Sequence, residues 1–330
     1  MKNTRAKWGL VVIAATGSLA LAACGGQQET ASGGASGGST GAVAVDGSST
    51  VAPLTSAAAE LFQAQSPGIN VTVGTSGTGG GFEKFCRGEI DMSDASREIE
   101  ADEAANCEKA GIKYQQLVVA NDALTVVVNK ENTFAKCLTV EQLKKIWEPK
   151  SSVNNWNQVD PSFPDEKIEL FGPGTDSGTF DYFTDEINGE EGASRTDYTP
   201  SEDDNVVVQG VSGSKGGLGY FGFTYYEENA DKVNAVEIDS GKGCVAPSAA
   251  TAQDGTYTPL ARPLFVYPSV TKLKENPALQ EFLTYYVTND AQIATESKFI
   301  PLNDEQSKEL QTAFEKTLAE AGVAATGASS

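Results

Sequence analysis

Histidine is absent from the 330 residues, which excludes a Ser-His-Asp triad, a Cys-His dyad and any His-ligated zinc site. Basic residues are scarce. Against 45 Asp plus Glu stand 24 Lys plus Arg, a formal charge of −21, and no basic run with interleaved aromatics occurs, so nucleic acid is a poor partner. No CxxC pair supports a redox-active or zinc-ribbon reading. The glycine-rich segment GTSGTGGGF at 74–82 lacks the GK[ST] ending of a Walker loop, which disfavours nucleotide binding. Acidic runs EINGEE at 186–191 and SEDDN at 201–205 lack the DxDxDG spacing of a calcium loop and read as solvated surface. Neither metal nor cofactor is expected. What is present is 39% hydrophobic residues over about twice the usual length of one domain, which predicts a large core split into two lobes.

The first residues carry Lys2, Arg5 and Lys7, then an apolar stretch from Trp8 to Ala23, the pattern of a secretory signal over 1–23. That stretch is short of the ~20 residues needed to span hydrocarbon as a helix. It ends in LAAC, which resembles a bacterial lipobox, a resemblance that implies lipidation of Cys24. Residues 24–42 are rich in Gly and Ser and read as a flexible tether. Loss of the three basic residues ahead of Cys24 takes the formal charge from −21 to −24. Such a surface is not drawn to anionic headgroups, so a lipid must hold the protein on the outer face of the membrane.

The remaining cysteines, Cys86, Cys107, Cys137 and Cys244, are even in number in an exported chain and suggest two disulfides with three possible pairings.

Apolar β-branched runs at 42–45, 69–73, 112–119, 124–128, 168–171, 219–223 and 264–267 predict strands. Helical patterns over 54–65, 81–87, 100–109, 140–147, 179–187, 278–288 and 304–321 separate them, the signature of an α/β chain. Thr139 with Gln142 predicts a capping box, and Asn276-Pro277 an N-cap followed by N1. Tyr220, Phe221, Phe223, Tyr225 and Tyr226 read as core rather than a stacking platform.

Four segments share one design, a strand or turn ending in small hydroxyl and glycine residues with a helix expected directly after: DGSST at 46–50, GTSGTGGGF at 74–82, SDASRE at 93–98 and GTDSGTF at 174–180. Unpaired N–H groups at helix starts, close backbone approach at Gly and hydroxyl donors together suit an anion. One such cluster is usually a turn with an N-cap. Four, on segments able to converge at the carboxyl ends of strands, point to a small oxyanion site.

These motifs, with VDGSSTVAPL, FGPGTDSGTFDYF, SEDDNVVVQGV and GGLGYFGFTYY, resemble the substrate-binding lipoproteins of bacterial high-affinity phosphate ABC transporters over roughly Val43 to Val287. The resemblance implies the two-lobed type II periplasmic-binding-protein fold, with two hinge crossings near Val119–Asp122 and Leu260–Pro263. Lobe one is then 43–121 plus 263–322, lobe two 122–262, and 323–330 a disordered tail. Inorganic phosphate and the membrane permease of an ABC transporter are the implied partners of a monomer.

Residue by residue, the resemblance implies phosphate contacts from Ser49, Thr50 and the Val51 backbone, from Ser76, from Ser96 with Arg97 beside it, and from Ser177, Gly178 and Thr179. Many members carry an Arg four residues before that Ser, where this chain has Pro173. Arg97 then supplies the charge, or neutral donors suffice. Phosphate retains a proton that sulfate lacks, so selectivity requires an acceptor carboxylate; Asp46 is favoured over Asp94 and Asp176. Links within lobes, Cys86 to Cys107 and Cys137 to Cys244, leave the hinge free to bend. Competing readings are a binder of sulfate, molybdate or tungstate, and a phosphate-ester hydrolase using Ser96 or Ser177. With no histidine, the latter would need Lys or a carboxylate as base.

Overall fold

A computed structural model describes residues 39–324; the signal segment, Cys24, the tether up to residue 38 and residues 325–330 lie outside the described residues. Strands β1 (Gly41–Gly47), β2 (Ile69–Val73) and β3 (Met92–Ala95) alternate with helices α1 (Ala52–Gln63), α2 (Gly77–Cys86) and α3 (Ala101–Lys109). The long β4 (Leu117–Asn129) leads to β5 (Cys137–Thr139), α4 (Val140–Trp147), β6 (Glu169–Gly172), β7 (Thr199–Pro200), β8 (Gly217–Gly222), β9 (Val233–Ala235), β10 (Glu237–Asp239) and β11 (Cys244–Val245). The last strand, β12 (Ala261–Pro268), returns beside β4.

Among the described residues one mixed sheet runs β2-β1-β3-β12-β4-β8-β6-β7, with β9 also on β4, and a small sheet runs β11-β10-β5. β1 is parallel to β2 and β3, so the loops leaving all three emerge at the same sheet edge. β4 and β12 pair antiparallel from Ala123 opposite Ala261 to Leu117 opposite Val266. Core side chains change partners along this ribbon. Those from Val43 to Ala120 and from Leu264 to Ala321 form one set of clusters, while those from Ala123 to Leu260 form another, joined by Ile300. This is an α/β fold of two lobes joined by two crossing strands.

Local chemistry explains most boundaries. Thr139 accepts from Gln142 N at 3.1 Å while the Gln142 side chain accepts from Thr139 N at 2.9 Å, and this reciprocal cap of α4 contributes about 1 kcal/mol. The buried face of α4 presents Leu143, Ile146 and Trp147, each contributing roughly 1.5–3 kcal/mol on burial. Asn276 caps the helix Pro277–Thr288 through Ala278 N at 3.1 Å. Tyr220, Phe221 and Phe223 are buried, and Phe183 stacks on Tyr220 with ring centroids 3.7 Å apart. Both disulfides, Cys86–Cys107 and Cys137–Cys244, are formed, each within one side of the hinge.

Several expectations change. Gly41, assigned to the tether, belongs to β1 and pairs with Ile69, while Ala42, at the tether's end, begins the expected strand opposite Asn70, because pairing of backbone groups needs no apolar side chain. The strands expected at 112–119 and 124–128 become one, Leu117–Asn129, since Asn121 and Asp122, which break the apolar run, find partners in Gln306 and Arg262, while 112–116 contributes only the isolated bridge of Tyr114 to Ser269. β3 carried no apolar signal because Ser93 and Asp94 occupy its centre, yet all four of its residues are buried. SDASRE does not lead directly into a helix: five loop residues separate β3 from α3. SEDDN is more than solvated surface, for Asp203 caps the helix Asp204–Gly213 through Asn205 N at 2.9 Å, and burial pushes Asp204 up to about 6.

Candidate functional site

A cleft of about 590 Å³ lies between the two sets of core clusters. Its first wall is the loop Ser48–Val51 between β1 and α1. Ser48 N donates to Asp94 O at 2.9 Å, and Thr50 N to Ser48 Oγ at 3.2 Å, which holds the loop down on β3 and leaves Ser49 and Thr50 facing the cleft. Gly47 permits this contact. Its φ is 146°, and a Cβ there would stand 2.0 Å from the Asp94 carbonyl oxygen.

The start of α2 forms the second wall, with Ser76, Gly77, Thr78, Gly79 and Gly80 lining the cleft. N–H groups of a helix's first turn have no intrahelical acceptors, and the macrodipole adds positive potential there. Ser96, Arg97 and Glu98 follow from the loop after β3, with the Ser96 and Thr78 hydroxyls 3.1 Å apart. Across the cleft stand Gly178, Asp181, Tyr182, Asp185, Glu186 and Glu191. Gly178 approaches so closely that a Cβ would lie 2.4 Å from Thr50 Oγ1 and 2.8 Å from Thr50 N.

Arg262, at the floor on β12, is the cation that the sequence reading missed. Its Nη2 donates to Thr50 Oγ1 at 3.0 Å, its Nη1 lies 3.4 Å from Ser96 O, and its Nε lies 3.4 Å from Asp122 Oδ2. The guanidinium carbon sits 3.5 Å from the centre of the Tyr182 ring, whose hydroxyl donates to Pro259 O at 2.6 Å. Burial pushes the Asp122 carboxyl up, opposed by the Arg262 charge. A basic residue inside a marked hinge crossing was the available signal.

Ser49, Thr50, Ser76, Ser96, Arg97 and Gly178 of the expected set line the cleft. The others do not. Val51 is fully buried as the residue preceding α1. Ser177 caps the helix Gly178–Phe183 by accepting from Thr179 N at 3.2 Å, so that pair serves the helix start. Arg97 is held by Glu103 through two bonds of 2.8 and 2.9 Å, so its charge is already neutralised.

Asp46 is turned away from the acceptor role. It takes Lys84 Nζ at 2.5 Å and both N and Oγ of Ser76, at 3.0 and 2.6 Å. Burial would raise its carboxyl, but the Lys84 and Ser76 bonds hold it below the usual range. Asp94 is buried beneath the first loop, and Asp176 is exposed outside the cleft lining.

Of the acidic residues lining the cleft, Asp181 is the one whose carboxyl feels both Ser49 and Arg262. Burial pushes it up to about 6 and the Glu191 charge adds to this, while Arg262 and a bond from Ser49 across the cleft oppose it. One helical turn after Ser177, its spacing was the readable sign. Glu186 and Glu191, read as solvated surface, stand at the same wall.

The chain matches the model of the PBP superfamily domain over residues 32–290. It is 48% identical over 265 residues to protein SphX of Synechocystis, covering 80% of this chain and 79% of SphX. It is 40% identical over 311 residues to the phosphate-binding protein PstS of Staphylococcus saprophyticus, covering 93% of each chain. The crystal structure of a possible phosphate binding protein from Planctomyces limnophilus superposes with a TM-score of 0.80 at 48% identity, covering 84% of this chain and 99% of that one. With the two-lobed fold and a donor-lined cleft at its hinge, these similarities place the chain in the PBP superfamily, among the PstS-like substrate-binding proteins.

Proposed function

We propose that this protein captures inorganic phosphate between its lobes and delivers it to the membrane permease of an ABC transporter, anchored outside the cytoplasmic membrane through a lipid on Cys24. The observation that carries this reading is the meeting of Thr50, Ser96 O and Tyr182 around the Arg262 guanidinium, at the mouth of the first turn of α2. Ser49, Thr50, Ser96 and the first N–H groups of α2 donate to phosphate oxygens, and Arg262 supplies the compensating charge. Gly178 closes over the ion from the second lobe. Ser76, Arg97, Ser177, Thr179 and the Val51 backbone shape the surrounding loops. Both half-sites come from one chain, so a monomer suffices.

Asp181 accepts the proton that phosphate keeps near neutral pH. Sulfate offers no such proton, and an acceptor facing its oxygens would be left unpaired. The global charge does not oppose capture, since surface charges are screened beyond about 8 Å at physiological ionic strength. A hydrolytic role lacks support: Ser96 Oγ meets the Thr78 hydroxyl and Ser177 Oγ accepts from Thr179 N, and neither is bonded to a Lys or carboxylate base among the described residues. Calorimetric titration with phosphate and with sulfate tests the reading. Saturable binding of phosphate and not sulfate is expected, and equal heats for both, or turnover of a chromogenic phosphate ester, would overturn it.

A further inference from the structure

Behind the hinge, on a segment that takes no part in the cleft, Ile300 departs from its chain neighbours. Ala294 and Leu302 pack in the core that contains α1 and the helix Pro277–Thr288, but Ile300, only 3% exposed, packs with the opposite core around Leu260 and Tyr257. Its backbone makes a reciprocal pair with Asn121 on β4, Ile300 N to Asn121 O at 3.0 Å and Asn121 N to Ile300 O at 2.9 Å. Side chains of lobe two hold the flanking residues. Gln253 Nε2 donates to Pro301 O at 2.8 Å, the Thr224 hydroxyl donates to Lys298 O, and Glu228 pairs with the Lys298 ammonium. Lys298 itself has φ 64°, a left-handed conformation that a residue other than glycine adopts when its surroundings dictate it.

We propose that residues 298–301 form a third mechanical crossing between the lobes, a strap that limits how far the hinge opens and thereby sets anion affinity from outside the cleft. β4 and β12 are continuous strands and can bend at their crossing. The strap is different, since it belongs to lobe one by chain connection and is held to lobe two by side chains. Wide opening about the β4 and β12 ribbon must pull these ties apart or carry the strap along against its packing. Apparent affinity falls in proportion to the fraction of molecules in the binding-competent arrangement, so loosening the strap weakens binding without touching a donor.

The test is the triple variant Thr224→Ala, Glu228→Ala, Gln253→Ala, which removes three partly or fully exposed side chains and leaves the strap and the cleft intact. Small-angle scattering reads the radius of gyration with and without phosphate, and calorimetry reads Kd. A larger radius without phosphate, an unchanged radius at saturation and a Kd raised by about five- to twentyfold are expected. An unchanged radius, or a changed radius with unchanged Kd, would overturn the proposal. Should the triple variant fold poorly, Lys298→Glu alone serves the same purpose by setting two carboxylates against each other, with a Kd rise of about three- to fivefold expected. If the parent protein does not bind phosphate, the functional reading fails, and the radius still decides whether the strap restrains the hinge.

Discussion

Arg262 sits over the ring of Tyr182, its guanidinium carbon 3.5 Å from the ring centre, while its Nη2 reaches Thr50 on the other lobe at 3.0 Å. One side chain at the hinge thus touches both walls of the cleft. Stacking and the Asp122 carboxylate fix the plane of the guanidinium, so its outward N–H groups point to the first and third loops without a further loss of rotamer freedom.

Arg262→Ala is expected to weaken phosphate binding by about 1.5–3 kcal/mol, the scale of hydrogen bonds to charged groups. Lys in its place restores little, because it cannot stack and fork together. Arg97→Ala is expected to leave affinity near that of the parent, since Glu103 already holds that guanidinium. Calorimetry on the three variants checks the ranking; a larger loss at Arg97 than at Arg262 would contradict it.

Gly178→Ala should block closure. The new methyl would meet backbone Thr50 N at 2.8 Å as well as the Thr50 hydroxyl, and backbone cannot swing aside as a flexible side chain can. Phosphate affinity is expected to fall at least tenfold, about 1.4 kcal/mol. Melting without phosphate should change little, because relief is available by opening the hinge. A melting scan with and without phosphate separates the two.

Asp181→Asn is expected to relax the preference for phosphate over sulfate, since an amide can donate to sulfate where a carboxylate faces it unpaired. Competition between the two ions for the variant measures this. Unchanged selectivity would move the acceptor role to another carboxyl.

Asp94 links pH to stability. It is buried, takes a bond from Thr55 Oγ1 at 2.9 Å, and burial, with the Asp46 charge adding a smaller push, raises it to about 8. Between the ordinary carboxylate range and about 8 the folded protein holds a proton that the unfolded chain has released. This contribution is therefore complete at low pH and is lost as pH rises through that window, by up to about 1.4 kcal/mol per pH unit. Asp94→Asn should flatten the decline between pH 5 and 8 relative to the parent in denaturant titrations.

Reduction of both disulfides is expected to lower the melting temperature while leaving phosphate affinity near its starting value. The bridges span 21 and 107 residues, and closing loops of these lengths is worth about 3–5 kcal/mol in the unfolded chain. Neither bridge crosses the hinge, so neither restrains closure. A large loss of affinity on reduction would show that a bridge holds the cleft.

Wherever the chemistry is local, the amino-acid order alone determined the outcome. The β-branched run 69–73 became β2 with the same bounds, the Thr139–Gln142 box started α4 where expected, and the helix Asp304–Ala321 matched its periodic pattern. Periodicity and capping act over a few residues, so they are legible in a linear reading. The loops bearing Ser49, Thr50, Ser76 and Ser96 were legible for the same reason, as small hydroxyl residues after strands. The charge balance of the site was decided only in three dimensions. Arg97 is one of several arginines until Glu103 folds onto it, six residues away, and Arg262 becomes the cation of the cleft through Thr50, 212 residues distant in the chain. Asp46 was the favoured acceptor until Lys84 and Ser76 reached it, and the Asp181 carboxyl is pushed up to about 6 by burial that only the folded cleft supplies. Desolvation and pairing depend on which surfaces meet, and only the packing of β12 between β3 and β4 brings those surfaces together.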